Sequence, residues 1–186
     1  MEQYPKWNEV LDDQQPGQPC QDSLQNSLQA DPVQQVLQPG EAGAIHALFM
    51  KLMFEIWDVY SDCARVFGIT DNELFILLDI EENISRPISQ AQIARNLCLP
   101  VQTVNSALVK LKQKGWIDLV PLKGSRKTKA VIFSEKGKAE CLPMLEKIHH
   151  GEVTSITEFS KEEASRLILL LQNYIRLFRS SMARHL

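Results

Sequence analysis

The chain has 186 residues, of which 44% are hydrophobic and 23% charged. That is enough for one well-packed domain plus an additional segment. No stretch approaches the ~18–20 uncharged apolar residues of a membrane span, and MEQYPKWNEVLDD lacks the basic-then-apolar pattern of a secretory signal, so a cytoplasmic location without membrane contact is expected. The four cysteines, Cys20, Cys63, Cys98 and Cys141, form no CxxC pair, which reads as free thiols rather than a disulfide framework. The net charge of −3 conceals an asymmetry. Between Lys110 and Lys138 nine basic residues face only Asp118 and Glu135, a net of +7, which leaves −10 elsewhere. A basic block on an acidic body implies one polyanion-facing surface, or a solvated charged face.

Residues 1–40 hold ten glutamines and five of the nine prolines. Their scattered apolar residues bury too little to offset ordering entropy, so a flexible tail is expected, docking at most through Trp7, Val10 and Leu11. From Glu41 the pattern changes. AIHALFMKLMFEIWDVYSDCARVF is a helix apolar over most of its circumference, which demands burial on more than one side and points to a partner chain. A second helix starts at Thr70, with Glu73 completing a capping box, and ends near Asn83; a third, short helix starts at Ser89 with Gln92 in the same relation. Ile93 and Leu97 are its expected inward residues. Leu97–Pro100 form a tight turn into a fourth helix, where Pro100 suits the first turn. Val101, Val104, Leu108 and Leu111 make its apolar stripe, and Gly115 provides a C′ position. WIDLV and TKAVIF then read as strands of a β-hairpin over 116–133, with a basic tip around Gly124. One further helix runs from about Glu135 into the 150s. The last begins at Ser160 with a third capping box to Glu163, and carries a stripe of Leu167, Ile168, Leu170, Leu171, Tyr174, Ile175 and Phe178.

Two short helices joined by a tight turn and followed by a basic hairpin make a winged helix-turn-helix. The second helix of such a pair can enter a major groove. Gln102, Thr103, Asn105 and Ser106 lie off its apolar stripe: Gln and Asn can pair bidentately with adenine, and Ser and Thr can meet bases or phosphates. Ser89 and Gln92 open the supporting helix. Lys110, Lys123, Arg126, Lys127 and Lys129 are expected to hold phosphates or a minor groove, with Ser125 beside them at the DNA-facing tip, and Arg126 suits insertion into a minor groove.

The run QTVNSALVKLKQKGWIDL followed by SRKTKAVIFSEKGK resembles the MarR-type transcriptional regulators. The matching positions are Leu111 and Gly115 at the end of the recognition helix, and Ser134 and Gly137 where the next helix begins. The resemblance spans about residues 42–184. It implies a mainly α fold with a small β-hairpin wing: a head at about 70–134, dimerisation helices at about 42–66 and 136–184, and a tail, residues 1–40, without family counterpart. It also implies a homodimer that reads double-stranded DNA at a pseudo-palindromic operator, with Gln102, Thr103 and Ser106 facing the groove and Ser89 and Gln92, at the start of the supporting helix, among the DNA contacts. The family's wing carries Asp-x-Arg, where this chain has Ser125 and Lys127 around Arg126, so the wing ion pair is absent. Members of the family are commonly repressors whose DNA affinity falls when a small ligand or oxidant binds. Phe49, Met53, Trp57, Phe67 and Phe75 are the residues that could line an apolar effector crevice here, with plain core packing as the alternative.

Other chemistry finds little support. Cys98, in the turn, is expected to be buried, and Cys141 has Lys138 nearby as a weak source of thiol activation. His149 and His150 point to different helix faces and His46 stands alone, so no metal or other cofactor is expected. Asp79, Glu81 and Glu82 read as solvated carboxylates. No phosphate loop or nucleophile–base set is present, which argues against an enzyme. Two other readings stay open: a winged-helix module that binds protein instead of DNA, and a ligand-binding dimer without a gene target.

Overall fold

The computed structural model describes residues 38–122 and 128–185. The tail residues Trp7, Val10 and Leu11, together with Lys123, Gly124, Ser125, Arg126 and Lys127 of the wing tip, lie outside the described residues. In chain order the elements are α1 (Pro39–Val66), α2 (Asp71–Glu82), β1 (Ile88–Ser89), α3 (Gln90–Asn96), α4 (Val101–Gln113), β2 (Ile117–Pro121), β3 (Lys129–Phe133), α5 (Glu135–Thr157) and α6 (Lys161–His185). No helix among the described residues is long and apolar enough to cross a membrane. The chain divides into two compact units, one through Lys138 and one from Ala139 to Leu186.

In the first unit the helix starts follow from local chemistry. Thr70 N donates to Glu73 Oε2 at 3.0 Å while Glu73 N donates back to Thr70 Oγ1 at 3.4 Å. Ser89 and Gln92 repeat the exchange at the start of α3. Such reciprocal bonds satisfy helix-end donors that would otherwise be orphaned. The strands form an antiparallel sheet in the order β1-β3-β2, with Ile117 opposite Phe133 and Ile88 opposite Val131. β1 is absent from the sequence-based expectations. It has two residues and exists only through its pairing with β3, so it carries no period of its own. The core is built from Leu74, Leu77, Ile93, Val104, Leu108, Leu111, Ile117 and Val131, all buried. Val101, expected in the α4 stripe, is 56% exposed instead; Ala107 fills the buried arc, and at the first turn α4 has not yet come against the core.

Three helix ends share one construction. After α1 the N–H of Gly68 donates to Arg65 O and that of Ile69 to Ala64 O. After α4 Gly115 and Trp116 bond Lys112 O and Leu111 O in the same way, and after α3 Cys98 and Leu99 bond Arg95 O and Ala94 O. These are Schellman caps, which need a positive φ at C′. Gly68 and Gly115 supply it at 62° and 75°, but the third position holds Cys98 at 53°. Cys98 is exposed, contrary to the expected burial, because the left-handed turn projects outward. Replacing Cys98 with Gly relieves about 1–2 kcal/mol of strain against about 0.5–1 kcal/mol of added unfolded-chain entropy. A net gain of about 0.5–1 kcal/mol is expected in denaturant unfolding; a loss would show that the thiol makes a compensating contact.

The link between α1 and α2 is polar and aromatic. Trp57 Nε1 and Ser61 Oγ both donate to Asp71 Oδ2, at 3.0 and 2.8 Å. The Phe75 ring lies 5.2 Å from that of Trp57 and 5.1 Å from that of Tyr60. On the opposite side of α1, Ile45, Leu48, Leu52, Ile56 and Val59 form a continuous exposed stripe.

Asp79 corrects another expectation. It is buried. Its Oδ1 accepts from the Nδ2 atoms of Asn96 (3.0 Å) and Asn83 (3.3 Å), which ties α2 to the end of α3, while Oδ2 has no hydrogen-bond partner. Burial pushes its pKa up, partly offset by the Asn96 bond. A carboxyl whose folded pKa is raised holds its proton more tightly in the folded state, so stability rises as pH falls through that pKa toward the ordinary carboxylate range. The stability of the protein relative to Asp79→Asn should therefore increase between pH 7 and pH 4. A difference that is flat, or falls on acidification, would contradict a raised Asp79 pKa.

In the second unit, Cys141, Met144 and Leu145 of α5 are buried. Burial and the neighbouring Glu140 raise the Cys141 thiol to about 11, the reverse of the expected activation. His149 Nδ1 lies 3.8 Å from Glu152. α6 has no buried residue. Its Leu167, Ile168, Leu170, Ile175, Phe178 and Met182 are exposed, and Tyr174 stacks on Phe178.

Candidate nucleic-acid interface

α3 and α4 are joined by Leu97–Pro100, and Gln90 Nε2 donates across the turn to Val101 O at 3.3 Å. Burial of Val104, Ala107, Leu108 and Leu111 fixes the rotation of α4. At 3.6 residues per turn, Gln102, Asn105, Ser106 and Val109 then share an exposed arc of about 100°, flanked by half-buried Thr103 and by exposed Lys110. Pro100 provides no capping side chain, so first-turn N–H groups of α4 are left to water or an anion. Three of the four predicted base-reading residues thus stand on the outward face, with Thr103 at its margin. The Ser106 hydroxyl donates to Gln102 O at 2.9 Å, which commits its proton and leaves it an acceptor toward any ligand.

The other expected contacts sort differently. Ser89 is buried and its hydroxyl donates to Gln92 Oε1 at 2.9 Å; together with the backbone bonds this makes the pair a cap. The basic block is partly consumed by the fold. Lys110 Nζ lies 3.8 Å from the buried carboxylate of Glu73. Lys114 Nζ donates to Gly68 O and sits 5.1 Å over the Trp116 ring. Lys136 Nζ donates to Lys114 O at 2.8 Å, and Lys138 pairs with Glu135. Lys112 and Lys129 are exposed.

Sequence reasoning missed three residues beside this surface. Asn72, at the start of α2, lines a cleft with Thr70, Gln102, Thr103, Ser106 and Lys110. Exposed Arg86 lines another with Ser85, Gln92, Pro121 and Leu122 at the base of the wing. Neither belongs to a motif, and only folding brings them to the helix-turn-helix. Val109 was legible as an apolar residue off the buried stripe. Of the proposed effector residues, Trp57 and Phe75 meet, Met53 is exposed, and Phe49 and Phe67 are half-buried. Neither of these two clefts, nor a third lined by Gly68, Ile69, Thr70, Glu73, Lys110, Gln113 and Lys114, involves any of the five.

The comparisons with known proteins converge on one family. Residues 69–129 match the model of the MarR family. The chain is 25% identical over 139 residues to the HTH-type transcriptional regulator PecS of Dickeya dadantii, which covers 75% of this chain and 80% of that protein. Among solved structures it is similar to a MarR family regulator from Neisseria meningitidis, with a TM-score of 0.63 at 18% identity over 75% of this chain and 97% of that one. It is also similar to MepR of S. aureus in a complex with DNA, with a TM-score of 0.58 at 19% identity over 71% and 96%. These structural likenesses give the fold. The family consists of transcriptional regulators rather than enzymes. With its capped α3–α4 pair, three-stranded wing sheet and a match to the MarR family model over residues 69–129, the chain carries a MarR-type winged helix-turn-helix head.

Proposed function

We propose that the chain is a MarR-family regulator that binds operator DNA as a homodimer, with Gln102, Asn105, Ser106 and Thr103 at base edges and Lys112, Lys129 and the wing lysines and Arg126 on phosphates. The observation that carries the reading is the outward polar arc of α4, which has the size and chemistry a major groove accepts. Dimerisation is supported by the exposed apolar stripes of α1 and α6, too large to leave in water. Two-fold symmetry then sets half-site centres about 34 Å apart, one helical turn. Repression, relieved by a small ligand that favours the non-binding state, is the mode proposed for the dimer. Selection from a random duplex pool should recover an inverted repeat with that spacing. An asymmetric single site would contradict the dimer, and a pool without enrichment would favour a head that docks on protein.

A further inference from the structure

Val109 is 49% exposed and sits within the arc of α4 otherwise made of Gln102, Asn105 and Ser106. It does not belong to the core, which takes Val104, Ala107, Leu108 and Leu111. β-branched valine is also a poor residue for an exposed helix position on propensity alone. The edges of base pairs in a major groove present one apolar group, the C5-methyl of thymine. No arginine stands on this arc, and of the lysines at its margins Lys110 lies 3.8 Å from buried Glu73 while exposed Lys112 stands one turn further along α4, so the usual bidentate donors to guanine are missing from its centre. Gln102 and Asn105 favour adenine, and Ser106, its proton committed to Gln102 O, accepts from an exocyclic amino group.

We infer that Val109 is a specificity-determining residue that packs on a thymine methyl group in each half-site, next to adenines read by Gln102 and Asn105. The inference rests on the DNA-binding reading above.

The test uses the full chain and the tightest duplex recovered by selection, with deoxyuridine replacing thymidine one position at a time. Uracil keeps every hydrogen-bonding group and lacks only the methyl. With the unaltered protein one position per half-site should lose about fourfold in affinity, and about 15-fold when both half-sites are changed, from the burial of one methyl group. With Val109→Ala the same replacement should have no effect. Because Val109 is outside the core, the variant is expected to keep its melting temperature and its binding to the uracil duplex, which shows that it is folded. A flat uracil scan with tight operator binding would overturn the inference and leave the DNA reading intact. So would a methyl effect that survives in Val109→Ala. A protein that binds no duplex selectively would overturn both.

Discussion

Gly137→Ala is expected to destabilise the protein by about 3 kcal/mol or more, in the upper range of overpacking costs, with a melting temperature lower by on the order of 10 °C. A Cβ at position 137 would stand 1.8 Å from the carbonyl oxygen of Trp116 and 2.7 Å from its carbonyl carbon. The obstacle is backbone, so no rotamer change relieves it. The same backbone is pinned from three directions. Ser134 N donates to Trp116 O at 3.0 Å, the Ser134 hydroxyl donates to Gly115 O, and Gly137 N donates to Ser134 Oγ at 2.9 Å. Ser134 thus caps α5 and fastens it to the end of α4, so moving Trp116 aside would disturb the Schellman cap of α4 as well. Thermal unfolding followed by circular dichroism checks the prediction. A melting temperature within 2 °C of the unaltered protein would show that this junction is looser than its geometry implies.

The second large effect is on sequence discrimination. Gln102→Ala removes an amide from the centre of the outward arc of α4 without touching a buried residue, so stability should stay within about 0.5 kcal/mol. A bidentate base contact provides about 1–3 kcal/mol of discrimination. The variant should therefore lose about 5- to 150-fold in its preference for one base at one position per half-site, while affinity for unrelated DNA and its salt slope stay the same, since phosphate contacts supply those. Binding to a panel of single-base operator variants separates the two. A uniform loss across the panel would make Gln102 a backbone contact.

Much of the fold was legible because its signals are local. Thr70 with Glu73, Ser89 with Gln92 and Ser160 with Glu163 mark helix starts within four residues, and each forms the expected reciprocal bonds. The hairpin likewise announces itself by a change of period after Gly115. What escaped depends on partners distant in sequence. Strand β1 exists only against β3. Asp79 is buried and bonded to Asn96, 17 residues away. Cys98 looked like a core residue until the Schellman cap turned it outward.

For the candidate site, the polar arc of α4 could be read from helical period alone, since the buried stripe fixes the opposite face. The charge count was less informative. It treated Lys110, Lys114, Lys136 and Lys138 as equivalent to Lys112 and Lys129, although the first four lie against a carboxylate or carbonyl groups of their own chain. Ser89 was similarly ambiguous: the same hydroxyl could cap a helix or meet a phosphate, and burial chose the cap.

Fluorescence anisotropy of the full chain against its selected duplex and an unrelated duplex of equal length, across a salt series, tests the central claim most directly. Specific affinity should exceed non-specific affinity by at least about 10³-fold. The logarithm of each binding constant should also fall linearly with the logarithm of salt concentration, by about 0.9 per phosphate contacted. Equal affinity for the two duplexes, or binding indifferent to salt, would contradict a DNA-reading head and make the basic face a docking surface for another protein.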